Sequence, residues 1–490
     1  LKRKAVLIAI PAAWFLFQEI HRPFGLDAGQ SRALAILFAM ALWWITETFK
    51  LHWTALVPLA VLLLPVAKLE APWLDRAAAN LRLAVDPFFS PFVFLFLGGM
   101  LIGLAMEEHN LHRRIALNII RVIGSQPRRL LLGFVLSTAF ISLWISNTAT
   151  AVMMVPIALA VLFQLEGREG RRLPKFGQSI MLAIAYGANV GGIGTMIGTA
   201  PNMIFVNAAR SQYGVQISFL DYMTLGLPFV ILFLPVVFLM LAWMARRERI
   251  ETLVPEMIDE ELAKLGRMKG REAAVLATFG LACLLWIFNA PLRSMLHVEA
   301  HIKPDQWDAS AALLAGLILF ATSTIGAPAL KRLPWDVLIL LGGSFALADI
   351  VKESGLSTWM AHRMSGAVAL HPLALMVLFT TASVFLSAFS SNTATATILT
   401  VLVADALDKG RQDARRVLPY MAGVSMAASC DFMLPAGTPP NAIVFGTRYV
   451  RMRDMAAAGA LLDLAAALLV GLWAYFGVAR LIAGAPGQGP

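Results

Sequence analysis

Apolar residues run in long unbroken blocks, not in the narrow stripes of surface helices. Blocks lie near 5–20, 31–49, 52–69, 90–120, 176–212, 218–245, 271–290, 308–326, 335–365, 412–447 and 456–483. About 18 apolar residues or more are enough for a helix to cross the hydrocarbon of a bilayer. The two-residue alternation of a transmembrane β-barrel is absent. The pattern predicts an all-α polytopic membrane protein with about 11 transmembrane helices.

Two further apolar stretches, 127–165 and 371–407, are nearly twice as long as one crossing. Each carries a polar trio near its middle: ISNTAT at 145–150 and FSSNTATAT at 389–397. Ser, Asn and Thr favour turns and helix caps because their side chains bond nearby backbone. Irregular backbone at membrane depth is tolerated only where protein buries it or it lines a watery cavity. Both stretches are therefore expected to be re-entrant hairpins that turn at the trio and leave by the face they entered.

Composition agrees, with 59% hydrophobic and 14% charged residues and a mean hydropathy of +0.72. Soluble chains carry about 25% charged residues. The net charge of +10 does not signal nucleic acid, because the basic residues sit mostly in short loops between apolar blocks, as cytoplasmic topology signals do. Lys2, Arg3 and Lys4 read as a retained cytoplasmic start without a cleaved signal peptide. With the hairpins counted as no net crossing, Arg113, Arg114, Arg121, Arg128 and Arg129 fall inside. So do Arg246, Arg247, Arg249, Lys264, Arg267, Lys269, Arg271, Lys331, Arg332, Arg448, Arg451 and Arg453. Lys409, Arg411, Arg415 and Arg416 fall outside, partly offset by Asp405, Asp408 and Asp413. The expected location is the inner (plasma) membrane. Cys283 and Cys430 lie inside apolar blocks, so no disulfide framework is expected.

The chain repeats itself. FLFLGGMLIGLAM (94–106) resembles LILLGGSFALADI (338–350), and each is followed by a hairpin and then a Gly-Thr-x-Pro-Asn motif. The offset is 341 − 97 = 244 at Leu-Gly-Gly, 392 − 147 = 245 at the hairpin Asn and 441 − 202 = 239 at the later Asn. Five expected crossings separate the unit starts, so the second unit is inverted. Inverted repeats with interrupted helices near the midplane characterise secondary transporters.

The interruptions GTAPN (198–202) and GTPPN (437–441) each offer a glycine to release the backbone and a threonine to cap the restarting helix. A proline near its first position fits, because its missing N–H would be unpaired there anyway. With the two trios, four helix N-termini would converge, each with free N–H donors and partial positive charge. That describes an anion site without Lys or Arg. The helix ends just before them present carbonyl oxygens, and Ser142 and Ser387 stand five residues before the hairpin asparagines. Such oxygens suit small cations, which would offset the cost of holding a dianion in low dielectric.

These motifs, the paired trios with GTAPN and CDFMLPAGTPPNAIVFG (430–446), resemble the divalent anion/sodium symporter (DASS) family of dicarboxylate and citrate transporters. The resemblance runs from WWITETF (43–49) to the last motif. It implies sodium-coupled symport of a divalent anion, most naturally a C4-dicarboxylate such as succinate, by a homodimer working as an elevator. Scaffold would be 1–122 and 246–370. The transport body would be 123–245 (with a broken helix at 176–212) and 371–490 (with another at 412–447). It implies substrate contacts at Asn147, Thr148, Thr199, Asn392, Thr393, Thr438 and Pro439. One sodium would lie near Ser142, Ser146, Asn147 and Gly198, the other near Ser387, Ser390, Asn392 and Gly437. The chain departs from the family at Ala200, where a proline is expected, and at Asp431, usually a small or apolar position. An ionisable residue in a broken membrane helix points to a proton or an extra cation, against the plainer reading that it faces a watery vestibule.

Plainer readings apply elsewhere. Glu47, Trp43 and Trp44 read as interfacial or packing residues, and His109 and His112 as solvated. Gly98-Gly99 and Gly342-Gly343 read as sites of close helix packing. A membrane enzyme would need paired acidic motifs or a metal triad, and neither is present. A channel built on two half-helices would use the hairpins but not the cation-sized oxygen sets. The alternatives within transport are a sodium-independent dicarboxylate exchanger, or a citrate or sulfate transporter.

Overall fold

The structure, a computed structural model, describes residues 6–11, 13, 14, 17, 25–63, 81–124, 126–246, 248, 250, 255–356, 359, 360, 371–408 and 413–483. Part of the expected crossing at 5–20, the ends of those at 52–69 and 335–365, and Lys2, Arg3, Lys4, Arg247, Arg249, Lys409 and Arg411 lie outside these residues. Among the described residues every regular element is helical. The helices used below are α1 (Ala28–Thr46), α2 (Pro91–Glu108), α3 (Leu111–Ile123), α4 (Pro127–Ser142), α5 (Asn147–Glu169), α6 (Pro174–Gly192), α7 (Ala200–Tyr213), α8 (Phe219–Ala245), α9 (Pro255–Leu265), α10 (Gly270–Ile287), α11 (Pro304–Ala321), α12 (Trp335–Glu353), α13 (Pro372–Phe389), α14 (Asn392–Asp408), α15 (Ala414–Ala428), α16 (Pro439–Gly446) and α17 (Met452–Leu472).

Seven helical stretches among the described residues are long and apolar enough to cross a membrane, including α1, α5, α8, α10 and α13. Among the remaining expected crossings, those at 176–212 and 412–447 are broken into α6–α7 and α15–α16. α8 shows why such segments stay outside the core on one side. Its 27 residues span about 40 Å at 1.5 Å per residue. Ile231, Leu232, Leu239 and Trp243 are exposed along it while Phe229, Phe233, Val237 and Leu241 are buried. An exposed apolar face of that length suits lipid. Local sequence starts these helices. Asp27 accepts the Gln30 N–H at 2.8 Å and Gln30 Oε1 accepts the Asp27 N–H at 3.1 Å, a reciprocal cap at the head of α1. Ser218 and Asp221 repeat the device at α8.

The element order helix, hairpin, broken helix, long helix occurs twice: α2, α4–α5, α6–α7, α8, then α12, α13–α14, α15–α16, α17. The two units interlock. α7 of the first packs on α14 and α15 of the second, and α16 of the second packs on α5 and α6 of the first. The glycine pairs pack closely, as expected. A Cβ on Gly98 would overlap Ala312 of α11, and one on Gly343 would overlap the Ala55 backbone. Trp44 is fully buried and donates to the Leu51 carbonyl at 3.1 Å, and Trp43 donates to the Leu7 carbonyl.

Two expectations need correction. The block 90–120 is not one helix. It breaks at Asn110, which adopts φ 57°, because Arg113, Arg114 and Arg121 cannot follow the apolar α2 into hydrocarbon. α3 instead lies with Leu111, Ala116, Leu117 and Ile120 buried and its arginines turned to acids. Arg114 forms a two-point bond with Glu272 at 2.5 and 3.0 Å, and Arg113 pairs with Glu261 of α9. The two histidines at this bend are not solvated. His112 is buried with Nδ1 2.9 Å from the Met106 carbonyl, and half-buried His109 places Nε2 2.7 Å from the Thr324 carbonyl.

Candidate functional site

The hairpin tips and helix breaks meet around one cavity of about 730 Å³. Asn147, Thr148, Thr199, Asn392, Thr393, Thr438 and Pro439 all line it, as do Ser146, Gly198 and Gly437. Residues some 245 positions apart in sequence therefore converge as the repeat requires.

Each asparagine is held by a buried serine. Ser142 Oγ lies 2.8 Å from Asn147 Oδ1 and 2.8 Å from the Ala188 carbonyl. Ser387 Oγ lies 2.8 Å from Asn392 Oδ1 and 2.6 Å from the Ala428 carbonyl. One hydroxyl proton serves only one acceptor at a time. Each triad is therefore three close oxygens with one proton, a set whose spare lone pairs suit a hard cation. Ser142 and Ser387 do not line the cavity; each is buried behind it and hydrogen-bonded to its asparagine. A Cβ on Gly192 would overlap Asn147 Oδ1, and one on Gly198 would overlap the Gly192 carbonyl. Glycine at both positions lets backbone oxygen approach the first triad.

The capping expectation holds in part. Ser146 caps α5, accepting the Ala149 N–H at 3.3 Å. Thr199 and Thr438 occupy the cap positions of α7 and α16, but neither side chain bonds the helix. Both residues line the cavity. Ser390 does not line the cavity. It is buried, its Oγ has no hydrogen-bond partner, and its N–H donates to the Ser387 carbonyl at 3.2 Å. Its neighbour Ser391 lines the cavity, and the hairpin offset of 245 makes Ser391 the counterpart of Ser146.

The residues that fix the loops were missed as such, although they stand in the motif. Asn202 Nδ2 donates to the carbonyls of Gly192 at 2.8 Å and Thr195 at 2.6 Å. Asn441 Nδ2 donates to those of Asp431 at 3.2 Å and Leu434 at 3.0 Å. Both span the same intervals, ten and seven residues back, so the final asparagine of each motif pins its broken helix. The sequence signal was the shared Asn, whose partners were not legible.

The cavity is not free of basic side chains. Arg332 lines it, half-exposed, with its Nη2 2.9 Å from Glu107 Oε1. Glu47, His52 and Asp336 also border it. Since both partners of that pair reach solvent, they mark its mouth. The inner part bounded by the four motifs holds amides, hydroxyls and backbone. Phe96, Gly99, Met100 and Gly103 of α2 and Leu340 of α12 also line the cavity.

Comparison with known proteins adds the lineage. Residues 1–479 match the family described as "Sodium:sulfate symporter transmembrane region". The chain is 36% identical over 488 residues to the sodium-dependent dicarboxylate transporter SdcS of Staphylococcus saprophyticus, covering 96% of this chain and 90% of that one. It is equally 36% identical over 487 residues to SdcS of Staphylococcus aureus strain USA300, with the same coverage. Among solved structures it is similar to the YdaH transporter of Alcanivorax borkumensis, with a TM-score of 0.57 over 90% of this chain and 98% of that one. At 16% sequence identity, that likeness concerns fold alone.

Proposed function

The chain belongs to the sodium:sulfate symporter family, the divalent anion/sodium symporters, and on that premise we propose that it carries a C4-dicarboxylate such as succinate together with sodium. The relatives' names support sodium and a dicarboxylate as cargo. The observation that carries the reading is the pair of serine–asparagine–carbonyl triads beside one cavity. Each triad would take one sodium with its neighbouring carbonyl oxygens, the first also using Gly198 and the second Gly437. The Asn147 and Asn392 amides then offer oxygen to the cation and N–H to a carboxylate. Thr148, Thr199, Thr393 and Thr438 supply hydroxyl donors. The dianion's two charges are offset by the cations beside it, not by a buried arginine.

Movement is proposed to be that of an elevator. The body of residues 123–245 and 371–490, which contains every motif, slides against the scaffold of residues 1–122 and 246–370. The protein works as a homodimer in the plasma membrane with its N-terminus in the cytoplasm. With Glu107 and Arg332 at its mouth, the cavity then faces inward. Proteoliposomes test the function directly. An imposed inward sodium gradient should drive accumulation of labelled succinate, and potassium should not. Equal counterflow of dicarboxylates without sodium would instead establish the exchanger, and competition only by citrate or sulfate would change the cargo.

A further inference from the structure

The two units differ at one matched pair of positions. Because Asn202 and Asn441 hold equivalent loops, Gly192 of the first unit corresponds to Asp431 of the second, at the motif offset of 431 − 192 = 239. α8 and α17 cross those loops at Gly226 and Gly459, where an added Cβ would overlap the carbonyls of Ile193 and Phe432 respectively. In that register (459 − 226 = 233 and 463 − 230 = 233) Asp463 corresponds to Val230. A glycine and a valine in one unit are thus two carboxylates in the other, contributed by separate segments.

Both aspartates are fully buried. Asp431 lies against Gly437, since a Cβ there would overlap Asp431 Oδ2, and Gly437 lines the cavity on its other side. Neither Asp431 carboxylate oxygen has a hydrogen-bond partner. Asp463 Oδ1 accepts the N–H of Phe432, the residue next to Asp431, at 3.0 Å. Tyr186 is fully buried, packs edge-on to Phe432 with ring centroids 5.1 Å apart, and has an unpartnered hydroxyl. Asn189 Nδ2 donates to the Asp431 carbonyl at 2.8 Å, while its own Oδ1 is unpartnered. Among the described residues, no Lys or Arg pairs with either aspartate.

Unpaired buried carboxylates are among the costliest arrangements a protein can hold. Buried oxygens left without donors call for an ion or water that serves them, and a set made of carboxylate, phenol and amide oxygens suits a hard cation. We infer that Asp431 and Asp463 form a further sodium site behind Gly437, next to the triad of Asn392 and absent from the first unit. The site rests on the symport reading and deepens it. Its cation would lie one backbone layer behind the cavity wall, so the dicarboxylate and this sodium would attract each other through Gly437.

The test counts sodium. In proteoliposomes, the sodium gradient that just balances a fixed succinate gradient gives the number of sodium ions moved per dicarboxylate. Asp431→Asn and Asp463→Asn keep side-chain shape, and the double variant Asp431→Gly/Asp463→Val restores the residues of the first unit. Each should move one sodium fewer than wild type and lose part of the thermal protection that sodium alone gives, with the order of preferred dicarboxylates unchanged. Variants with the wild-type stoichiometry and the wild-type protection by sodium overturn the site. Should the variants not fold, radioactive sodium bound by wild type without substrate decides: a count no higher than the sites at Asn147 and Asn392 overturns the inference, and one more supports it. Sodium-independent uptake by wild type would refute the symport reading itself, a result distinct from sodium-driven wild type with unaltered variants.

Discussion

Ser142 Oγ stands 2.8 Å from Asn147 Oδ1, and Ser387 Oγ stands at the same distance from Asn392 Oδ1. Two pairs from opposite halves of the chain therefore share one geometry, and each also touches a carbonyl of the helix that follows, in α6 and α15. Ser142→Ala and Ser387→Ala should each raise the sodium concentration for half-maximal uptake by roughly tenfold or more. In the proposed site the lost oxygen would face a cation, and a hydrogen bond or contact to a charged partner is worth about 1.5–3 kcal/mol. Uptake at saturating sodium should fall much less. A sodium curve superimposable on wild type in either variant would remove that triad from the cation path.

The asparagines should be less forgiving. Asn147→Ala and Asn392→Ala each remove a group proposed to touch both ligands, so uptake should be abolished while the purified protein keeps its helical circular dichroism. Normal uptake by either variant would displace the site.

Much of this was legible in the sequence because it is written locally. Polar trios inside apolar runs, glycine before threonine and proline before asparagine each have one backbone consequence, and repetition at a near-constant offset placed them together. The parts that escaped depend on partners far away in sequence. Nothing in the run 90–120 says that Arg114 will find Glu272, yet that pairing goes with the bend at Asn110 and the separate helix α3. Thr199 and Thr438 were expected to cap because of their place in the chain, but in the fold neither side chain bonds its helix and both residues line the cavity. Ser390 and Ser391 are neighbours of the same type, and only packing decides that Ser391 lines the cavity.

The motif asparagines that pin the broken helices should act through the fold. Asn202→Asp and Asn441→Asp keep the shape but lose the donor that holds two buried carbonyls. Leaving such groups unserved costs about 1–3 kcal/mol each. Both variants should unfold at lower temperature in detergent and show weakened sodium and succinate binding together. Loss of succinate binding alone, with unchanged melting, would mean that these side chains touch substrate directly.

Arg210 of α7 and Asp305 of α11 form an ion pair at 2.6 Å, with Asp305 almost fully buried. The pair joins the proposed transport body to the proposed scaffold, so sliding must break it. Arg210→Ala would strand a buried carboxylate, a change that costs about 3–5 kcal/mol, and should impair transport severely. Arg210→Ala/Asp305→Ala removes the stranded charge and should recover part of that loss, with a translocation rate that differs from wild type while succinate affinity stays near normal. Single-turnover uptake set against equilibrium binding separates the two effects. A double variant with wild-type rates would mean that the two bodies do not part at this pair.

Coupling itself follows from the charge balance of the inner cavity. Opposite unit charges about 4 Å apart attract by about 4 kcal/mol at an effective dielectric of 20, so bound sodium and a bound dicarboxylate should strengthen one another. Linkage makes the effect reciprocal: sodium must raise succinate affinity by the factor by which succinate raises sodium affinity. Potassium is larger, and oxygen sets shaped for sodium should take it poorly. Titration calorimetry in sodium and in potassium measures both arms. Succinate should bind at least tenfold more tightly in sodium, with an equal gain for sodium when succinate is present. Equal affinity in the two salts would refute sodium-coupled binding and leave exchange as the mechanism.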